Sequence, residues 1–169
     1  NYSLADGGAR LNLLDFGCVR IFPPRFVAGV VNLYRALRAG DEDGVAAAYE
    51  SWGFKNLNKE LVDALSIWAR FIYGPMMDDR ERTIADDVSP AEYGRRELFE
   101  VRRRLKTLGP VLIPREFVFM DRAAIGLGAG FLHLKARRNF ARMFEASIEG
   151  FSEEALAARQ AEALAAAGL

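Results

Sequence analysis

The chain has 169 residues, of which 51% are hydrophobic, and this is enough for one domain with a core of its own. Residues 1–88 hold 10 basic and 13 acidic side chains, and residues 89–169 hold 13 basic and 10 acidic ones. A balance this even gives no indication of a nucleic-acid partner. Cys18 is the single cysteine, so an internal disulfide is excluded. With no cationic, apolar leader and no charge-free stretch long enough to span a bilayer, we expect a cytoplasmic location.

Two segments near the N-terminus predict a β-hairpin. Ala5-Asp6-Gly7-Gly8 is a strong turn sequence, so residues 1–5 and 9–14 are predicted to pair as strands. The leucines at 11, 13 and 14 predict that the second strand is buried. We expect the hairpin to pack on the helix that starts at Pro24.

The predicted second strand ends in an aspartate and a glycine, in the order Asp15-Phe16-Gly17. Gly17 allows a sharp turn directly after the carboxylate, and folding of the hairpin is expected to bring Asn1 close to Asp15. One carboxylate oxygen and one amide oxygen suit Mg²⁺ whose shell is completed by phosphate oxygens and water. We therefore predict Asp15 and Asn1 as metal ligands. The alternative at these residues is a solvated aspartate in a strand-to-helix turn.

An Asp-Phe-Gly sequence after an apolar strand is the magnesium-binding signature of protein-kinase-like folds. Residues 13–20, the Phe-Pro-Pro-Arg-Phe sequence at 22–26 and residues 33–41 resemble the UbiB/AarF family of atypical kinases. Residues 112–127 resemble that family's late helix, with its Arg-x-x-x-Gly-Leu core. The resemblance extends from Asn1 to about Asn139. Aminoglycoside and choline kinases share the asparagine, hairpin and aspartate, but the Pro-Pro helix start fits them poorly.

The resemblance implies that residues 1–150 are the C-terminal lobe of an atypical kinase-like domain, followed by a weakly docked, alanine-rich helix at 151–169. Asp15, Phe16 and Gly17 would bind ATP together with Mg²⁺, in an atypical kinase or ATPase linked to ubiquinone or isoprenoid-lipid metabolism. The family's nucleotide-covering loop, its phosphate-binding lysine with the glutamate partner and its catalytic aspartate have no match in these residues. We therefore expect the chain alone to be inactive, with no catalytic residue of its own. Expected partners are the missing N-terminal lobe, a second copy of the chain, and a membrane or lipid surface contacted peripherally. The alternative is a non-catalytic helical interaction domain with a relic D-F-G turn.

Beyond the hairpin, apolar side chains recur every three or four residues, which predicts a mainly α-helical chain of about six helices. Asp41 and Ser152 are predicted helix caps. Ser89-Pro90-Ala91-Glu92 is a capping-box sequence with proline at the first helical position, and it predicts that a helix starts there. Pro114 is predicted to open a long helix.

The other residues that could carry chemistry favour structural roles. The acidic stretch at 77–87 lacks the spacing of a metal-binding loop and predicts a solvated loop. Cys18 and His133 have no catalytic partner at a useful spacing, so we predict a packed thiol and a structural or half-exposed histidine. The glycines at 126, 128 and 130 do not match a dinucleotide-binding pattern and are predicted to let helices pack closely.

A basic flank occurs on the helix predicted after Pro90. Such a flank can contact anionic lipid headgroups, but on an exposed helix face it is more often only solvated. Its members are Arg95, Arg96, Arg102, Arg103, Arg104 and Lys106.

Overall fold

A computed structural model of the chain describes residues 2–15, 19–85, 88–108 and 111–168. Within these residues the chain forms one two-stranded antiparallel hairpin followed by seven α-helices, which confirms a mainly α-helical fold with a small N-terminal hairpin. The sequence predicted about six helices, and seven are observed in the described residues. The elements are β1 (Tyr2–Ala5), β2 (Arg10–Leu13), α1 (Pro24–Ala39), α2 (Glu42–Ser51), α3 (Lys59–Tyr73), α4 (Arg95–Leu108), α5 (Arg115–His133), α6 (Phe140–Ile148) and α7 (Glu153–Ala166).

The hairpin forms where the turn sequence predicted it. A short 3-10 turn over Asp6–Gly8 connects the strands, and Gly7 takes the left-handed φ of 65° that its lack of a side chain permits. Strand β1 pairs with β2 so that Tyr2 lies opposite Leu13 and Leu4 opposite Leu11. Since side chains alternate along a strand, these four residues share one face, which we call the hairpin face.

The prediction that the leucines of this hairpin are buried was wrong. Every residue of β2 is exposed, and Leu14, which follows β2, is exposed as well. The hairpin face is apolar, yet no helix of the described chain covers it. The expected packing of the hairpin on α1 is therefore not observed.

Helices α1 and α2 form an antiparallel pair at the centre of the fold. Pro24 occupies the first turn of α1, and Gly40 ends the helix with a φ of 68°. Asp41 then caps α2, because its side chain accepts a hydrogen bond of 2.9 Å from the Gly44 amide. The Trp52 indole donates to the Phe26 carbonyl oxygen at 3.0 Å and fixes the two helices to each other.

The predicted start of α4 was wrong. The backbone amides of Glu92 and Tyr93 donate hydrogen bonds to the Ser89 carbonyl oxygen and form one turn. The Ser89 hydroxyl donates to the Glu92 carboxylate at 2.6 Å instead of capping a helix. Gly94 then takes a φ of +76°, and the helix begins only at Arg95. The tertiary packing explains this break: Tyr93 is buried, and the ring of Phe71 packs against it with 4.8 Å between ring centroids.

The last three helices surround this centre. Helix α5 passes Tyr93 closely at Gly128, and α6 is capped by Asn139. Ser152 caps α7 as predicted, and Gln160 of α7 donates a 3.0 Å hydrogen bond to the Phe22 carbonyl oxygen in front of α1. No residue of α7 is buried. The predicted division of the chain into residues 1–150 and 151–169 stays a prediction. No helix among the described residues is both long and apolar enough to cross a membrane.

Candidate magnesium and nucleotide site

Asp15 lies two positions after the end of β2 and is exposed. The hairpin register brings the first described residue, Tyr2, opposite Leu13, so the N-terminal end of β1 is near the segment that carries Asp15. The other predicted site residues, Asn1, Phe16 and Gly17, lie outside the described residues, as does Cys18. The approach of Asn1 to Asp15 therefore stays a prediction.

Apolar side chains surround this segment without being covered. The four residues of the hairpin face are 57 to 65% exposed. Val19 and Ile21, on the far side of the Asp-Phe-Gly sequence, are also exposed. Apolar surface is thus open around the hairpin, and Asp15 lies next to that surface in the chain.

The chain that leaves the site is anchored to the helices. The Arg20 guanidinium lies 4.6 Å from the centre of the Phe119 ring on α5, a distance typical of a cation–π contact. The rings of Phe22 and Phe26 stack with 5.3 Å between centroids. These contacts hold residues 19–23 between the first turn of α1 and the first half of α5.

The two stretches that carry the family resemblance are neighbours in space. Phe26, in the first, has its ring 5.2 Å from that of Phe117, in the second. The Arg20–Phe119 contact joins the same two stretches. The contacting residues are 91 and 99 positions apart in the chain, and the fold brings both stretches to the N-terminal end of α1, next to the site.

No competing metal site is visible in the parts of the chain that the structure describes, where no three histidine, cysteine, aspartate or glutamate side chains lie together. In the acidic loop, Asp78 accepts hydrogen bonds from Arg80 and Arg82, and Asp79 accepts them from Arg142 and Asn139. The bond from Arg80 is the main cause that lowers the pKa of Asp78, and the bond from Arg142 does the same for Asp79. Asp86 and Asp87 fall outside the described residues.

Two further predicted features are exposed. His133 lies in the last turn of α5. On α4, the Glu100 carboxylate accepts hydrogen bonds from Arg103 and Arg104, and these lower the pKa of Glu100 to about 2. The side chain of Phe99, beside this basic flank, is 70% exposed. Contact of this flank with lipid stays a prediction.

A polar cluster between α1 and α6 was not predicted from the sequence. The hydroxyl of Tyr34, a residue that is only 1% exposed, lies 2.7 Å from the Glu145 carboxylate and 3.2 Å from the Met76 carbonyl oxygen. Arg38, one turn further along α1, pairs with the same carboxylate. Tyr34 and Glu145 are 111 residues apart, so no local sequence pattern could have predicted the cluster. Its role is structural, because it ties α6 to α1.

The described site residue, Asp15, carries an exposed carboxylate, a group that can hold a hard cation when other oxygens complete the shell. Comparison with known proteins does not assign the chain to a family. No family model, no curated protein and no solved structure matches the chain.

Proposed function

We propose that the chain is the nucleotide-facing C-terminal lobe of an atypical kinase or ATPase of the UbiB/AarF type. In this proposal Asp15 holds the Mg²⁺ that bridges the nucleotide phosphates, Asn1 is the weaker second ligand, and Phe16 and Gly17 form the turn. One observation carries the proposal: an exposed aspartate follows a strand whose apolar face is open, so that a second lobe could cover it.

The residues present fit a magnesium ion of the kind that nucleotides carry. Mg²⁺ keeps several waters and takes one or two protein ligands together with phosphate oxygens. Asp15 offers one exposed carboxylate, as such an ion requires. A site made only of protein ligands would need several acidic side chains together, and no such cluster of three occurs among the described residues. When bound, the ion would supply positive charge against the phosphates.

The work left to this chain is binding and positioning. Phosphoryl transfer needs charge stabilisation and orientation from groups on both sides of the nucleotide. We therefore propose that the hairpin face contacts the missing N-terminal lobe and that the chain alone does not hydrolyse ATP. The association with ubiquinone or isoprenoid-lipid metabolism belongs to the same proposal and rests on the resemblance of residues 13–41 and 112–127 to the family.

The test is Asp15→Asn in the complete protein, of which this chain would be the C-terminal lobe. The substitution keeps the size of the side chain but removes the charge that attracts the metal. We expect Mg²⁺-dependent ATP affinity to fall about 10- to 100-fold, the range of a lost charge-assisted interaction, with little change in melting temperature. Isothermal titration with and without Mg²⁺ measures the affinity.

The matched control is Asp6→Asn. Asp6 is also an exposed aspartate of the hairpin, but it lies at the opposite end, in the turn, where it pairs with Arg10 at 2.6 Å. We expect this variant to keep the ATP affinity of the parent. If Asp15→Asn instead lowers only the melting temperature and leaves ATP affinity unchanged, the metal site is refuted.

The open hairpin face also favours one second candidate. A non-catalytic helical interaction domain with a relic D-F-G turn would use the same apolar surface to bind a protein partner. The two proposals differ in one result, because the complete protein would then bind no ATP with or without Mg²⁺.

A further inference from the structure

A second feature of the molecule lies away from the hairpin. A cavity of about 230 Å³ occupies the space between the first six helices. Its wall is almost wholly apolar and includes both tryptophans of the chain, Trp52 and Trp68, together with Leu65 and Met120. A void of this size leaves its lining side chains without contact partners, so a ligand that fills it gains those contacts.

Among the described residues that line this cavity, Asp121 is the one that carries a charge. One of its carboxylate oxygens accepts a 2.9 Å hydrogen bond from the Trp68 indole, and no other hydrogen bond to Asp121 occurs within the described part of the chain. Burial raises the pKa of Asp121 above its usual range, and the bond from Trp68 opposes that shift. The second oxygen is therefore available to a polar group of a ligand.

The cavity reaches the surface on one side. Leu98 of α4 and Ile113 in front of α5 both belong to its wall, and they are 39 and 48% exposed. Their neighbours Phe99 and Leu112 are exposed apolar residues too. A small apolar molecule can thus approach the cavity across an apolar rim.

We propose that this cavity binds a small neutral alcohol, a compact apolar molecule of about nine non-hydrogen atoms whose hydroxyl group hydrogen-bonds to Asp121. The size follows from comparison with engineered apolar cavities of about 150 Å³, which hold one benzene molecule. The hydroxyl group is favoured over an ammonium group because an apolar wall penalises a buried cation much more than a buried hydroxyl. This inference does not depend on the proposed kinase function.

The probe for the test is cyclooctanol, with cyclooctane as its hydrocarbon counterpart. Because the only two tryptophans line the cavity, their fluorescence reports binding to the 169-residue chain directly. We expect saturable quenching or enhancement with both probes. Asp121→Leu should weaken cyclooctanol binding about fivefold, the size of one hydrogen bond, and should leave cyclooctane binding unchanged or stronger.

A filling variant tests the location. Ala124 lines the cavity, so Ala124→Leu should abolish binding of both probes, whereas Ala123→Leu, at the exposed neighbouring position, should leave it intact. Circular dichroism checks that each variant is folded. Equal affinity in the two alanine variants would overturn the proposal, and so would an absence of saturable binding. If Ala124→Leu does not fold, Asp121→Leu decides: equal weakening of both probes then contradicts the proposed hydrogen bond.

Discussion

At the scale of single residues, the contact between Gly128 and Tyr93 shows how closely α5 passes its neighbour. A Cβ atom at Gly128 would lie 2.7 Å from Cζ of the buried Tyr93 ring, whereas one at Gly126 or Gly130 would meet no atom within 4 Å. The sequence predicted that small residues here serve helix packing. It could not predict which glycine is needed, because that depends on where Tyr93, 35 positions earlier, is placed.

These two environments predict opposite effects of the same substitution. Gly128→Ala should lower the free energy of unfolding by about 1–3 kcal/mol, since the added methyl group overlaps the Tyr93 ring. Gly126→Ala, on the same helix, should raise it by up to about 1 kcal/mol, since alanine favours the helix and meets no neighbour. Urea unfolding followed by circular dichroism measures both. Equal changes in the two variants would contradict the close contact.

At the scale of elements, sequence signals for helix ends were correct where they depend only on neighbouring residues. Pro24, Gly40 and Asp41 all act at helix ends as predicted, because each needs only its immediate neighbours. The capping-box sequence at 89–92 did not start the helix, because Tyr93 is buried and Gly94 takes a positive φ that interrupts the helical conformation directly after it. Burial of a large aromatic ring outweighs the roughly 1 kcal/mol of a helix cap.

The surroundings of the hairpin could not be predicted from the sequence. Its alternation predicts one apolar face, and the observed register agrees, but the pattern cannot say what covers that face. The described helices leave it exposed. We therefore expect this chain to self-associate through the hairpin face, which would remove apolar surface from water.

Light scattering over a range of concentrations tests this expectation. The average mass should rise with concentration, and Leu11→Lys, which puts a charge on the hairpin face, should reduce the rise. Asn12→Lys is the matched control, because Asn12 lies on the opposite face, where it bonds to Ser3. A strict monomer at high concentration, or an equal effect of both lysines, would argue against association through this face.

At the scale of the whole molecule, composition and periodicity were enough to predict a mainly helical fold, since most of the helices carry an apolar stripe of their own. They could not predict the Tyr34–Glu145 cluster or the cavity around Trp68 and Asp121, because both join residues far apart in the chain. Of the candidate site, the sequence predicted the two strands, the turn that connects them and the aspartate that follows the second strand, but not that this strand is exposed. The spatial proximity of residues 13–41 and 112–127 emerged only from the fold.

In the proposed function, Asp15 holds the metal of a bound nucleotide. Mn²⁺ can replace Mg²⁺ and broadens the NMR signals of nearby methyl groups, so we would measure methyl spectra of the complete protein with ATP and Mn²⁺. Leu13 and Leu14 report on Asp15, Met77 reports on the acidic loop, and Val45 serves as a remote control. Val45 lies in the first turn of α2, beside the C-terminal end of α1, a helix about 24 Å long.

We expect strong broadening of the Leu13 and Leu14 methyl signals, none at Val45, and loss of the effect in Asp15→Asn. Broadening that centres on Met77, or that is the same in Asp15→Asn as in the parent protein, would contradict the claim that Asp15 binds the metal.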